Sequence, residues 1–187
     1  TALPASNGFD IHASMEPARD VGGDFFDYFM IDDDHLCLVI ADVSGRGIPA
    51  ALFMMRSMST IKDCAMHGKS ILETLETANN ALCENNTTEM FVTVWLGILE
   101  ISTGKLRAAN AGHEYPVIKY PNGGYELFKD PHGFVLGAME GVKYKEYELD
   151  FQPGTRIFVY TDGLPEATNA KEELFGTDRI VEALNTH

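Results

Sequence analysis

Apolar and polar residues alternate along this chain in two rhythms. Single alternation or short β-branched runs predict strands, and apolar residues returning every three to four positions predict helices. Residues 9–15 (Phe-Asp-Ile-His-Ala-Ser-Met) alternate and are expected to form a half-buried strand. The apolar runs 25–31 and 36–41 flank Asp32-Asp33-Asp34, which reads as a solvated turn, so together they form a hairpin. Each strand of that hairpin has an aspartate, Asp24 or Asp42, at the end away from the turn. Those ends lie side by side in an antiparallel pair, which makes Asp24 and Asp42 neighbours by spacing alone.

After Asp42 the chain crosses Ser44-Gly45-Arg46-Gly47, where the glycines allow positive φ and close backbone approach, and enters a helix at Pro49. Proline suits a first turn because its missing N–H is not needed there. The helix is expected to run to about Met66, with Leu52, Met55, Ser59 and Ile61 or Lys62 along the stripe that covers a sheet. Ser70 followed by Glu73 is a capping box, and it opens a second helix whose face is Ile71, Leu75, Ala78 and Leu82. The two helices meet at Gly68 and read as an antiparallel pair on one sheet face.

Strands then resume. Residues 91–101 and 105–111 turn about Thr103-Gly104, and 117–120 and 125–129 turn about Asn122-Gly123-Gly124. Residues 144–151 alternate, and 156–161 read as a core strand ending at Asp162-Gly163. A last helix starts at Thr177 or Asp178, with Ile180, Val181 and Leu184 turned inward. This order predicts an α+β fold of two layered antiparallel β-sheets with helices outside.

A chain of 187 residues, 45% of them hydrophobic, is expected to form one domain with a full core. Charge narrows the function. With 14 Lys and Arg against 28 Asp and Glu, the net charge of −14 repels nucleic acid and anionic membranes, so neither is an expected partner and a nuclease is disfavoured. Apolar runs fall short of the roughly 20 residues of a membrane span, and a cytoplasmic location is expected. Cys37, Cys64 and Cys83 include no Cys-x-x-Cys pair, which points away from a zinc ribbon or disulfide framework. None is followed by the glycine-rich loop and arginine that a cysteine-nucleophile phosphatase requires. The chain begins at Thr1 and stops within a helix, so it is expected to be cut from a longer regulatory protein and to lack C-terminal strands.

Asp42 and Asp162 each end a predicted strand at a turn, and Asp24 neighbours the first. A lone Asp42 could simply cap the following helix. Two carboxylates about 4 Å apart, however, repel by about 4 kcal/mol at an effective dielectric of 20, so three converging ones call for cations between them. Oxygen ligands without His or Cys favour Mg2+ or Mn2+ over zinc. Such a pair of ions acidifies a bridging water and clamps a phosphoryl group for in-line displacement.

Four segments carry a resemblance: residues 17–27 (Pro-Ala-Arg-Asp-Val-Gly-Gly-Asp-Phe-Phe-Asp), 41–51 (Ala-Asp-Val-Ser-Gly-Arg-Gly-Ile-Pro-Ala-Ala), 110–113 (Asn-Ala-Gly-His) and 160–167 (Tyr-Thr-Asp-Gly-Leu-Pro-Glu-Ala). In order and spacing the chain resembles the PPM-type metal-dependent serine/threonine protein phosphatases, in the bacterial branch of the stage II sporulation phosphatase and the sigma-factor regulators. The resemblance implies an αββα sandwich of two antiparallel sheets flanked by helix pairs. It implies metal ligation by Asp24, by Asp42 as the bridging ligand, by the Val43 carbonyl and by Asp162, with Arg19 gripping the phosphate. Asp24, Asp42 and Arg19 are thus the catalytic candidates and two Mn2+ or Mg2+ ions the expected cofactors. The implied substrate is a phosphorylated anti-sigma-factor antagonist, the implied controller an upstream sensory domain, and a homodimer is a further expectation.

Two departures from the family pattern stand out. Arg46 occupies a turn position where His or Lys is usual, and the final Asp-Asp strand that completes the family's metal site is absent from this chain. A regulatory binding module of the same fold, weak in metal, is therefore the alternative function. Gly22-Gly23-Asp24-Phe25-Phe26 is also similar to a diguanylate cyclase signature, but that signature has Glu where this chain has Phe25. His113 reads either as a general acid or as a loop histidine bonded to backbone, and Asn110 shares the ambiguity. Asp27 is expected to be structural, Glu166 to face the rim or cap a turn, and Arg19 has a surface ion pair with Asp20 or Glu16 as its other reading.

Overall fold

The computed structural model of the chain describes residues 8–15 and 22–186. β1 (Phe25–Met30) and β2 (His35–Val43) form the expected hairpin, with Phe25 opposite Ala41 and Met30 opposite Leu36. Asp32 closes its turn by accepting the backbone N–H groups of Asp34 and His35, each at 2.8 Å. Next come α1 (Gly47–Met66) and α2 (Ile71–Cys83), then β3 (Val92–Glu100), β4 (Lys105–Ala111), β5 (Val117–Lys119) and β6 (Tyr125–Leu127). β7 (His132–Gly133), β8 (Glu146–Asp150), β9 (Arg156–Phe158) and α3 (Gly176–Thr186) complete the order. The first sheet runs β1-β2-β3-β4, with β7 and β8 both on the outer edge of β4; the second runs β6-β5-β9. β7 pairs with β4 in parallel, through Asn110 opposite His132 and Ala111 opposite Gly133.

Strand alternation sorts the side chains into layers. Cys37, Val39, Ala41 and Val43 of β2, with Val92, Val94 and Leu96 of β3, pack against Phe53 and Ile61 of α1 and Leu75 and Leu82 of α2. The residues between them, Leu38 and Ile40 of β2 and Trp95 of β3, face the second sheet and meet Ile118, Ile157 and Val159. The outer face of that sheet, including Val117, Phe158 and Tyr160, is covered by Ile180, Val181 and Leu184 of α3. The layers are therefore helix pair, sheet, sheet and helix. Asp24 and Asp42 continue the series that faces the second sheet, which is what aims them at the end of β9.

The Ser70–Glu73 capping box is present as predicted. The Glu73 N–H donates to Ser70 Oγ at 3.2 Å, and Glu73 Oε2 accepts the Ser70 N–H at 2.9 Å. Ser70→Ala is expected to cost about 1 kcal/mol of folding stability, read by urea denaturation.

Three expectations about elements are corrected. Residues 9–15 form no strand; only Phe9 and Ile11 are even half-buried there, so the alternation lacks a sheet face to cover. α1 is rotated from the expected stripe: Leu52 and Met55 are 62% and 57% exposed, while Ala50, Phe53, Ser57, Ile61, Cys64 and Ala65 are buried. Small residues at Ala50, Ser57 and Ala65 let this face approach the sheet closely. Burying Ser57 is tolerated because its hydroxyl donates to the Phe53 carbonyl one turn back, at 2.8 Å. Finally, β9 ends at Phe158 instead of running to residue 161. Its ladder stops where Val117 pairs with Phe158, because the next partner residue, Pro116, has no N–H to give.

Candidate metal centre

Asp24 immediately precedes β1, and the Phe25–Ala41 register sets it beside Asp42 near the end of β2. Asp162 enters from the second sheet, four residues past the end of β9. Asp42 lies within hydrogen-bonding reach of both Asp24 and Asp162. Burial, and then these two neighbouring carboxylates, push the Asp42 carboxyl up to about 8. Asp24 is oriented by the Thr161 hydroxyl, which donates to its Oδ2 at 2.6 Å. Asp162 is exposed at the rim, and Glu114 nearby is also raised, by burial and then by Asp162.

Among the described residues no three His, Cys, Asp or Glu side chains stand as a ready-made metal cage. The three aspartates are neighbours, with Asp42 acted on by both of the others. Their chemistry nonetheless fits a hard divalent ion, since every donor is an oxygen. The Asp42 carboxyl is raised first by burial and then by Asp24 and Asp162, and a cation would offset both effects by favouring its charged form.

The backbone beside Asp42 is just as constrained. The Val43 N–H donates to the Gly23 carbonyl at 3.3 Å, and a Cβ on Gly23 would sit 2.8 Å from the Val43 oxygen. Only glycine lets these segments come so close. Gly23→Ala is therefore expected to destabilise the fold by about 1–3 kcal/mol, measured by thermal denaturation, and to displace the Val43 carbonyl. The following turn takes φ of +100° at Gly45 and +75° at Gly47, as its glycines predict. Arg46 is the exposed N-cap residue of α1 and makes no side-chain cap bond. Asp42 does not cap that helix.

A buried polar group lies behind the aspartates. Thr93 pairs with Asp42 across β2 and β3, and its hydroxyl is 3.4 Å from the Asp42 carbonyl and 2.8 Å from Nδ1 of His113. Nε2 of His113 meets the Tyr160 carbonyl at 2.9 Å, so this histidine is bonded to backbone and is only 3% exposed. Burial holds its ring at about 4, well below the usual imidazole range. Asn110 Oδ1 accepts the His113 N–H at 2.7 Å, and Asn110 Nδ2 donates to Asp130, whose Oδ2 also accepts the Tyr147 hydroxyl. Asp27 points the other way, to Lys62 of α1 at 3.0 Å, a structural pair as expected. The Glu166 N–H donates to the Asp162 carbonyl, closing a turn. Arg19, with Glu16 and Asp20, lies outside the described residues.

Sequence reasoning missed Thr93, Thr161 and Asp130. Thr161 adjoins Asp162 and Thr93 falls opposite Asp42, but only the pairing register reveals the second. No local signal marks Asp130.

The fold has counterparts among known proteins. The structure of the RsbU and RsbW domains of Rv1364c from Mycobacterium tuberculosis matches with a TM-score of 0.77 and 25% identity, over 90% of this chain and 46% of that one. The fold is that of PPM (PP2C-type) phosphatase domains. The chain belongs to the stage II sporulation protein E (SpoIIE) family, whose model matches residues 32–187. It is 32% identical to Protein IcfG of Synechocystis sp. over 100% of this chain and 33% of that protein. It is 31% identical to the phosphoserine phosphatase RsbU of Bacillus subtilis, over 89% of this chain and 49% of that protein. The chain thus spans a third to a half of the length of these curated relatives.

Proposed function

We propose that this domain hydrolyses phosphoserine or phosphothreonine on a protein of the anti-sigma-factor-antagonist type, using a pair of Mn2+ or Mg2+ ions held by Asp24, Asp42, the Val43 carbonyl and Asp162. The meeting of three aspartates from two sheets at one edge, with Asp42 pushed up to about 8, is the observation that carries this reading. Bound there, divalent ions supply an acidified water and a clamp for the phosphoryl oxygens.

The chain's own groups do the rest. Asp42 links the two sides, Thr161 fixes the rotamer of Asp24, and Gly23 leaves the Val43 carbonyl uncovered by any Cβ. Arg19 is assigned to two phosphate oxygens, which its planar fork matches. No thiol is suited to serve as nucleophile: burial raises all three cysteines, Cys37 to about 12. A cysteinyl-phosphate intermediate is thereby disfavoured, and displacement by a metal-activated water without a covalent intermediate is part of this proposal. The match to a phosphoserine phosphatase supports the substrate class. Control by an upstream sensory segment and a homodimeric assembly belong to the same proposal.

The test is phosphate release from a phosphoserine-bearing antagonist domain, with p-nitrophenyl phosphate as a second substrate, in Mn2+ and in EDTA. Release from both substrates only with Mn2+ is expected. Tight binding of the phosphoprotein with no release at saturating Mn2+ would instead favour a regulatory binding module.

A further inference from the structure

The aspartates of the metal centre come from two sheets, and the packing between those sheets is apolar. Trp95, Leu106 and Ala108 on one side meet Ile118, Ile157 and Val159 on the other. Apolar contact sets a separation, but it is non-directional and does not fix how far one sheet slides past the other. Hydrogen bonds do fix it, because they weaken steeply with angle and distance. At this edge the second sheet has already lost its ladder, since β9 ends at Phe158 and Asp162 lies beyond it.

We propose that His113 is the positioning residue that fixes this register, locking the Asp162 arm of the second sheet to the Asp24–Asp42 arm of the first. One ring nitrogen takes hold of each side: Nδ1 meets Thr93 Oγ1 at 2.8 Å, and Nε2 meets the carbonyl of Tyr160, two residues before Asp162, at 2.9 Å. A carbonyl only accepts, so Nε2 carries the proton and Nδ1 accepts from the Thr93 hydroxyl. That hydroxyl belongs to the residue opposite Asp42.

His113 is itself held by Asn110 Oδ1 through its backbone N–H, at 2.7 Å. Asn110 is secured in turn by Asp130, at 3.0 and 3.3 Å from its two oxygens. Thr161, the residue between Tyr160 and Asp162, donates to Asp24 and makes a second stitch across the same gap. Buried with both nitrogens engaged, His113 has none left to protonate a leaving group. The depressed ring ionisation agrees with a neutral tether.

The inference rests on the metal-centre reading of the aspartates for its consequence, but its geometry is testable without metal. The variants are His113→Gln, which can still reach Tyr160 while losing Thr93; Thr93→Val, which removes one bond at constant shape; and His113→Ala, which removes both. In the metal-free chain, hydrogen exchange at the Leu164 and Glu166 amides, which bond to the Thr161 and Asp162 carbonyls, reports the Asp162 arm. Exchange there is expected to quicken about ten-fold in His113→Ala and less in the other two, with the β2–β3 ladder unchanged.

Calorimetric titration with Mn2+ alone should show the dissociation constant rising by about 10- to 100-fold in His113→Ala, with partial recovery in His113→Gln. Unchanged exchange at Leu164 and Glu166 would overturn the proposal. So would a Mn2+ affinity equal to wild type combined with a fall in kcat at saturating Mn2+, the signature of a general acid. A wild-type chain that takes up no Mn2+, while the variants still loosen the arm, would overturn the metal-centre reading and uphold the tether.

Discussion

Asp42→Asn is expected to lower Mn2+-dependent p-nitrophenyl phosphate hydrolysis by about 10³-fold, the loss of roughly 4 kcal/mol of metal-borne charge stabilisation at 1.36 kcal/mol per decade. The same substitution is expected to stabilise the chain when metal is absent. Asp42 is raised to about 8 in the fold against an ordinary value near 3.8, so the folded state keeps a proton that the unfolded state has lost. Stability therefore falls as pH rises from about 4 to about 8. His113 acts in the opposite sense: lowered to about 4, it is neutral in the fold while the unfolded imidazole charges below about 6.5, so its contribution is lost as pH falls from 6.5 to 4.

The two slopes oppose each other below pH 6.5, and above it only that of Asp42 remains. Between pH 6.5 and 8 the metal-free Asp42→Asn chain should thus gain on the order of 1 kcal/mol over wild type, the figure being reduced because Asp42 is partly solvated. Urea denaturation in EDTA at pH 6.5 and pH 8 reads the gain directly. A variant that loses stability across this window while losing activity would mean that Asp42 is a structural carboxylate, and the electrostatic account of the site would fall with it.

The hairpin and its paired aspartates were legible because period-two alternation fixes both the strands and their ends. Asp24 follows from Asp42 once the turn at Asp32 is placed. The capping box at Ser70 was equally plain, since a local hydrogen-bond code needs no tertiary partner. The phase of α1 was not legible. Its largest apolar side chains, Leu52 and Met55, are outside, and its small ones, Ala50, Ser57 and Ala65, are inside, because closeness to the sheet outweighed side-chain area. The tether at His113 was hidden for another reason. Its partners Thr93 and Tyr160 lie 20 and 47 residues away, and they become adjacent only when the two sheets stack. The family resemblance marked Asn110-Ala111-Gly112-His113 as a segment that matters without saying what it touches.

Mn2+ should raise the melting temperature of the wild-type chain by about 5–10 °C at 100 times its dissociation constant. A ligand at that excess contributes about 2.7 kcal/mol, and each kcal/mol moves a domain of this size by about 2–4 °C. Excess EDTA should reverse the shift fully, and Asp24→Asn and Asp162→Asn should each diminish it, because each replaces a charged carboxylate by a neutral amide whose oxygen is a weaker ligand for a hard divalent ion. The binding should also depend on pH in a way that identifies the ligand. Metal displaces the proton that the crowded Asp42 carboxyl retains up to about 8, so the apparent Mn2+ affinity should drop by up to about ten-fold per pH unit below that value. A solvated aspartate would give an affinity flat from pH 8 to pH 5. Proton release on Mn2+ addition, followed in two buffers of different ionisation enthalpy, separates the cases: close to one proton at pH 6.5 is expected, and none would mean that the ion binds somewhere other than among these three carboxylates.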